Sequence, residues 1–218
     1  VPLSAIKPSD VRAWCAKLKA EGRADSYVYA LHARLSQLFS DAVHDELVAR
    51  NPCSRRTSPG MGKQRPYVAT TAQVWALYDA VPAGVKPAIL LGAHAGLRLA
   101  EAAALRVTDV DFETGVVAPS VQWGDKPLKS ELSRRPIPIP LDMARLLVSA
   151  VPLGDGSHLV SDQWGNPGGP WTIQRAVRAA IPVVGLPEGF RFHDLRHYFA
   201  SLLIASGLDV KVVQARLR

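Results

Sequence analysis

The sequence predicts a mainly α-helical protein with one small antiparallel β-sheet, arranged in two domains. Apolar residues recur at helical spacing along most of the 218 residues, whereas a short central region alternates as strands do. A basic segment rich in Pro, Gly and Ser separates a short helical region from a longer one. We therefore expect a helical domain at 1–54, a linker at 55–66 and a second domain at 67–218.

Two amphipathic helices are predicted in the first domain. The first spans about 9–22, and the second runs over 26–48 before Asn51 and Pro52 stop it. Two helices make a thin core, and the chain opens on Val1. We therefore expect this domain to be an excised piece that is incomplete at its N-terminus, or one that packs on its neighbour.

The second domain is predicted to be helical on both sides of a three-stranded hairpin region. Helices are expected from Thr71, at 87–95, 102–105, 141–150, 171–183 and 193–206, and from Val210 onward. Strands are expected at 107–112, 116–121 and 135–140, with a polar tip at 124–133. Because its alternating prolines cannot donate to a ladder, the third strand should lie at the sheet edge.

The positive charge of the chain is concentrated near the predicted linker. The net charge is +7, and the stretch 50–66 contains no acidic residue. Its cations are Arg50, Arg55, Arg56, Lys63 and Arg65. A run of one sign in a flexible segment suits contact with nucleic-acid phosphates, although a solvated linker would have the same composition.

Composition also restricts the class of protein. The longest apolar stretch, Ala88–Ala95, is too short to cross a bilayer, and no secretory signal is present. The two cysteines, Cys15 and Cys53, match neither a disulfide framework nor a metal-ligand spacing. We therefore expect a cytoplasmic protein without membrane attachment.

Three polar clusters are candidates for a functional site. Arg98 lies among apolar residues with Glu101 three positions later, which indicates either a local ion pair or a phosphate-binding arginine with a supporting carboxylate. Lys129 lies on the predicted hairpin tip, where plain exposure is the alternative. His193 to His197 places two histidines and an arginine at a helix start, where an exposed polar helix end is the alternative.

Together these clusters resemble the catalytic domain of the tyrosine site-specific recombinases, the phage integrase family. Gly96-Leu97-Arg98-Leu99-Ala100-Glu101 is similar to the first box of the family. The stretch from Lys129 to Pro140 is similar to its hairpin lysine and proline-rich return strand, and His193-Asp194-Leu195-Arg196-His197 is similar to its second box. Residues 1–66 resemble the end of the helical core-binding domain of the family.

The resemblance implies a set of roles for these residues. Arg98 and Arg196 would clamp the scissile phosphate, Lys129 would protonate the leaving oxygen, and His193 would act as acid or base beside the phosphate. Glu101 and His197 would support the site. The residues implied in DNA contact are Arg50, Arg55, Arg56, Lys63, Arg65, Arg134 and Arg135. No metal ion and no other cofactor is implied.

The resemblance also implies a nucleophilic tyrosine on a helix after the second box. No tyrosine occupies that place in the printed sequence, and Tyr198, which follows Arg196 by two, is expected to pack inside the domain. We therefore expect a fragment that binds double-stranded DNA without cleaving it, whereas the whole enzyme would recombine its sites as a tetramer. A non-cleaving DNA-binding regulator and a strand-nicking topoisomerase are the alternatives.

Overall fold

The computed structural model describes residues 1–62, 67–151 and 158–217. The chain divides into two compact units, Val1–Arg65 and Pro66–Arg218. The α-helices of the described residues are α1 (Pro8–Ala20), α2 (Asp25–His44), α3 (Thr71–Ala80), α4 (Lys86–His94), α5 (Leu99–Ala104), α6 (Leu141–Ser149), α7 (Pro170–Val184), α8 (Phe192–Ala205) and α9 (Val210–Leu217). The strands are β1 (Val110–Asp111), β2 (Val116–Val117) and β3 (Ile137–Pro138). The predicted fold class is confirmed.

The first unit is built on the packing of α1 against α2. Its buried cluster comprises Val11, Phe39, Ala42, Val48 and Cys53. The second helix is shorter than predicted, because the chain leaves the helix at His44 rather than Val48. Glu46 adopts a positive φ of 56°, and the N–H of Leu47 donates to the carbonyl of Ala42 at 2.9 Å, which closes the helix end.

The start of the predicted linker is folded onto the first unit. Thr57 is buried, and its hydroxyl lies 2.9 Å from Nε2 of His32 in α2. The N–H of Ser54 donates to the same hydroxyl at 2.8 Å, and the hydroxyl donates to the carbonyl of Ser54 at 2.9 Å. Lys19 of α1 donates to the carbonyl of Pro59 at 3.0 Å. Residues 54–59 are therefore a pinned extension of this unit, which composition alone did not predict.

The second unit is organised around α4, whose residues Pro87–Ala93 are all buried. Helix α4 packs against α8, and the two helices approach closely at Gly92. A Cβ added at Gly92 would lie 2.9 Å from Cζ of Phe192 and 3.1 Å from Cδ1 of Leu195. The missing side chain of Gly92 thus lets α8 lie against α4, in line with the general use of glycine at close helix contacts.

The sheet is antiparallel in the order β1-β2-β3, so the proline-containing β3 lies at its edge as predicted. Val117 of β2 pairs with Val110 on one side and with Ile137 on the other. The strands are shorter than predicted, since residues 107–109 form a 3₁₀ turn. The carboxylate of Asp109 caps that turn by accepting from the N–H of Arg106 at 2.9 Å.

The predicted polar tip is also more structured than expected. Gln122 and Lys126 form an isolated β-bridge, and Glu131–Arg134 forms a 3₁₀ helix. Elsewhere, none of the helices within the described ranges combines the length and apolar character needed to cross a membrane.

Candidate active site

The turn that follows α4 sets the position of Arg98. Gly96 has a φ of +63°, and a Cβ at this position would lie 2.7 Å from Cδ1 of Phe199 in α8. The N–H of Leu97 donates to the carbonyl of Leu91 at 3.1 Å, which ends the helix in a Schellman-type turn. The left-handed glycine therefore directs the chain past α8 so that Arg98 becomes the N-cap of α5.

One buried carboxylate holds both ends of Arg98. Oε2 of Glu101 accepts from the backbone N–H of Arg98 at 3.1 Å, and Oε1 accepts from its Nη1 at 2.8 Å. Glu101 has no exposed surface, whereas the side chain of Arg98 is 27% exposed. The guanidinium therefore reaches from the buried carboxylate to the surface, an arrangement that suits an arginine presented to an anion.

A second partner of Arg98 comes from the region between β2 and β3. Nη1 of Arg98 donates to Oγ of Ser133 at 2.9 Å, and Ser133 is fully buried. The hydroxyl of Ser130 lies 3.0 Å from that of Ser133. This contact links Arg98 to the segment that contains Lys129, which precedes Ser130 and is exposed.

Helix α8 presents the second motif, which is the segment His193–His197, on one face and packs with the other. Phe192, Leu195, Tyr198 and Phe199 are buried, whereas His193, Arg196 and His197 occupy the remaining face with at least partial exposure. The helix start is fixed because Asp194 accepts from the N–H of Arg191 at 2.7 Å.

Arg196 is directed at the turn at the start of the first motif, which is the segment Gly96–Glu101. Its Nη1 donates to the carbonyl of Gly96, and its Nη2 donates to the carbonyl of Leu217 in α9. Gly96 is two residues from Arg98, so Arg196 contacts the turn that positions Arg98, and the charges of both arginines act on His193. The structure thus gathers Arg98, Glu101 and Arg196, which are spread over almost 100 residues of sequence.

The pKa of His193 is affected by both arginines, Arg98 and Arg196. Burial lowers the pKa of His193, and the nearby charges of His197, Arg196 and Arg98 lower it further, while Asp194 acts in the opposite direction. The rings of His193 and His197 meet edge to face with centroids 5.1 Å apart. A neutral imidazole is therefore favoured at neutral pH, which leaves His193 able to accept a proton.

The residues predicted to contact DNA belong to both units, and two of them lie outside the described residues. Arg50, Arg55 and Arg56 are exposed on the first unit, whereas Lys63 and Arg65 lie outside the described residues. Arg135 is exposed just before β3, and Arg134 forms an exposed ion pair with Glu131 at 3.8 Å, which contributes little to stability.

The five tyrosines of the sequence lie in the following environments. Tyr198 is buried, its hydroxyl donates to Oγ1 of Thr71 at 3.1 Å, and its ring meets His94 edge to face. Tyr67 donates to Gln73 at 3.0 Å, and the ring of Tyr78 lies under the ammonium of Lys86. Tyr27 and Tyr29 lie on α2 in the first unit.

Sequence reasoning missed two features of this site. Ser133 contacts Arg98 but gave no signal, because a serine in a polar hairpin is ordinary. A cleft of about 450 Å³ also adjoins His193, and its lining includes Gln174 and Arg178 of α7. The sequence shows that Gln174 and Arg178 are four residues apart and so share one face of α7. It does not show that this face lies beside α8, which only the fold reveals.

Comparison with known proteins places the chain in a family. The model described as the phage integrase family matches residues 69–218, and the chain belongs to this family. It is 28% identical over 220 residues to the tyrosine recombinase XerC of Chromohalobacter salexigens, covering 98% of this chain and 72% of that relative.

Solved structures show the same fold at lower identity. The Tn1549 transposon integrase in complex with a circular intermediate DNA is 21% identical, with a TM-score of 0.84 over 99% of this chain and 78% of that chain. A λ integrase dimer bound to a core site is 20% identical, with a TM-score of 0.79 over 100% of this chain and 80% of that one.

Proposed function

We propose that the whole protein is an integrase-type site-specific recombinase, which breaks and rejoins DNA strands through a covalent phosphotyrosine intermediate. The observation that carries this proposal is the convergence of Arg98 and Arg196 on one turn, with His193 beside them and Glu101 buried behind. Two arginines can neutralise the charge that grows on the non-bridging oxygens of a five-coordinate phosphate.

The chemistry assigns one step to each group. A tyrosine hydroxyl gives its proton to a base and attacks the phosphorus, the new P–O bond forms as the bond to the 5′-oxygen breaks, and the ammonium of Lys129 gives that oxygen its proton. His193 is the acid or base beside the phosphate, and Glu101 holds Arg98. His197 supports His193 through its ring contact. The arginines supply the positive charge, so the scheme includes no metal ion or other cofactor.

The nucleophile is proposed to be a tyrosine other than the five in the printed sequence. The hydroxyl of Tyr198 is held by Thr71 on the buried side of α8, opposite the face of His193 and Arg196. If an adduct forms, digestion and mass spectrometry would identify the modified residue. Modification of Tyr198 would contradict this assignment.

The proposed substrate is double-stranded DNA that contains the recombination site, bound by a tetramer of the whole protein in the cytoplasm of a bacterial or phage-infected cell. The proposed phosphate contacts are Arg50, Arg55, Arg56, Lys63, Arg65, Arg134 and Arg135. We further propose that residues 1–54 act as a core-binding domain, 55–66 as a basic connection and 67–218 as the catalytic domain.

The test replaces Arg196 in the full-length natural protein and follows adduct formation on nicked duplex DNA. Arg196→Ala should abolish the denaturant-resistant adduct and weaken DNA binding by only about 1–3 kcal/mol. Arg196→Lys keeps the charge but loses the bidentate geometry, so adduct formation should fall about 10²–10³-fold. Arg145→Ala is the matched control, since Arg145 is exposed on α6 and pairs there with the exposed Asp142.

The outcomes separate the alternatives. An active Arg196→Ala variant would contradict the catalytic assignment, and a wild-type protein that binds DNA without any adduct would favour the non-cleaving regulator. Strand nicking and relaxation without exchange between two sites would favour the topoisomerase.

A further inference from the structure

Ser133 is buried in a segment where exposure is the rule. Residues 129–132 and 134–136 are all exposed, including Leu132 at 47%, whereas Ser133 has no exposed surface. Apolar burial would select the leucine and leave the serine in water. Between the buried residues Leu128 and Ile137, the stretch 129–136 is therefore held by the polar contact of Ser133 and not by apolar burial of its own.

The contacts of Ser133 join two parts of the candidate site. Its Oγ accepts from Nη1 of Arg98 at 2.9 Å, while the same nitrogen donates to Glu101 at 2.8 Å. Toward the other side, the hydroxyls of Ser133 and Ser130 lie 3.0 Å apart, and the N–H of Ser133 donates to the carbonyl of Ser130 at 3.0 Å. Ser130 directly follows Lys129, so a continuous set of hydrogen bonds runs from Glu101 to the neighbour of Lys129.

We propose that Ser133 is a positioning residue that fixes the Lys129-bearing segment against Arg98, which Glu101 already holds, and so places the proton donor relative to the phosphate. This inference rests on the proposed function. A general acid must lie within about 3 Å of the oxygen that it protonates. An exposed lysine on an untethered hairpin would seldom meet that condition, and a misplacement of about 1 Å can lower a rate about 10²-fold.

A purely structural hydrogen bond is the competing explanation, and the leaving group separates the two. When sulfur replaces the bridging 5′-oxygen, the P–S bond breaks as the phosphotyrosine bond forms, and the thiolate leaves without needing a proton. A residue that acts through Lys129 should therefore matter for the oxygen substrate and not for the sulfur substrate. A general loss of folding or of DNA binding would slow both reactions.

The experiment uses the full-length natural protein and measures single-turnover adduct formation on both substrates. Ser133→Ala should be about 10–100-fold slower on the oxygen substrate and within about threefold of wild type on the sulfur substrate. Lys129→Ala should show the same pattern with a larger defect, and the double variant should be no slower than Lys129→Ala. Ser130→Ala removes the exposed end of the connection, so it tests the same pattern if Ser133→Ala fails to fold.

Leu132→Ala is the matched control, because this exposed side chain lies between the two serines and takes no part in the hydrogen bonds. The proposal is overturned if Ser133→Ala and Ser130→Ala behave as Leu132→Ala does, if they are equally slow on both substrates, or if their defects add to that of Lys129→Ala. A wild-type protein that modifies neither substrate would instead reject the proposed function. Failure of sulfur to rescue Lys129→Ala would reject the assignment of Lys129 and this inference with it.

Discussion

At the scale of single residues, the candidate site depends on the backbone turn at Gly96. Gly96 combines a left-handed φ of +63° with a close approach to Phe199, so both its conformation and its missing side chain serve the placement of Arg98. The carbonyl of the same residue accepts from Arg196. One glycine thus relates the two arginine motifs to each other.

Gly96→Ala should destabilise the second unit by about 1–3 kcal/mol, since the conformational strain adds to a steric contact with Phe199. Chemical unfolding measures this change, and adduct formation should fall more than stability alone explains. Gly185→Ala is the matched control, because Gly185 follows α7 with a φ of +71° and an added Cβ would meet no atom of the described residues within 4 Å. Equal losses for the two variants would contradict the steric role of Gly96.

Single residues also mark where sequence reasoning ends. Arg98, Glu101, His193 and Arg196 could be selected because charged residues in apolar surroundings are unusual. Ser133 could not, because its burial follows from a contact across 35 residues of sequence. Only the fold places Ser133 beside Arg98.

At the scale of elements, periodicity and capping predicted the helices well. The sequence places helices at 141–150 and 171–183, and the structure has α6 at Leu141–Ser149 and α7 at Pro170–Val184. The strands were predicted less well from the sequence. Asp109 caps a 3₁₀ turn at 107–109, where hydrophobic alternation predicted a strand. Side-chain capping of short turns competes with strand pairing, and hydrophobic alternation does not report it.

The pinned extension of the first unit carries a prediction about DNA binding. Thr57→Val removes the hydroxyl that joins Ser54 to His32, so the unfolding free energy of this unit should fall by about 1–3 kcal/mol. If Arg55 and Arg56 contact DNA phosphates, Thr57→Val should also weaken DNA binding, because the two arginines would be less ordered before they bind.

The salt dependence of DNA binding distinguishes a loss of order in the segment that contains Arg55 and Arg56 from a loss of positive charge. Thr57→Val keeps every cation, so the slope of log K against log salt should not change. Arg56→Ala removes one phosphate contact and should reduce that slope by about 1. A slope for Thr57→Val that matches that of Arg56→Ala would contradict the preordering role.

At the scale of the whole molecule, stability should decrease in mild acid. Burial lowers the pKa of His94, whose ring lies 6.0 Å from that of Trp75 and 6.1 Å from that of Tyr198, centroid to centroid. The unfolded chain binds a proton at this histidine below about pH 6.5, before the folded protein does. The stabilising contribution of the neutral imidazole is therefore present above that pH and is lost as the pH falls toward the folded-state pKa.

His94→Phe keeps the aromatic contacts and removes the titrating group, so unfolding free energy should vary less between pH 7 and pH 5 than it does in wild type. Denaturant titrations at several pH values measure this dependence. His44→Gln, at an exposed position on α2, is the control. An unchanged pH dependence in His94→Phe would contradict the role of His94.

The close packing of α4 and α8 at Gly92 has a consequence for protein engineering. Position 92 and positions 192 and 195 share one volume, because a Cβ at 92 would meet the side chains of Phe192 and Leu195. A library that enlarges residue 92 while keeping both partners should yield few folded members, whereas one that enlarges 92 and reduces 192 or 195 together should recover them. The segment Gly96–Glu101, which follows α4, and the segment His193–His197 on α8 would then be redesigned as a pair and not separately.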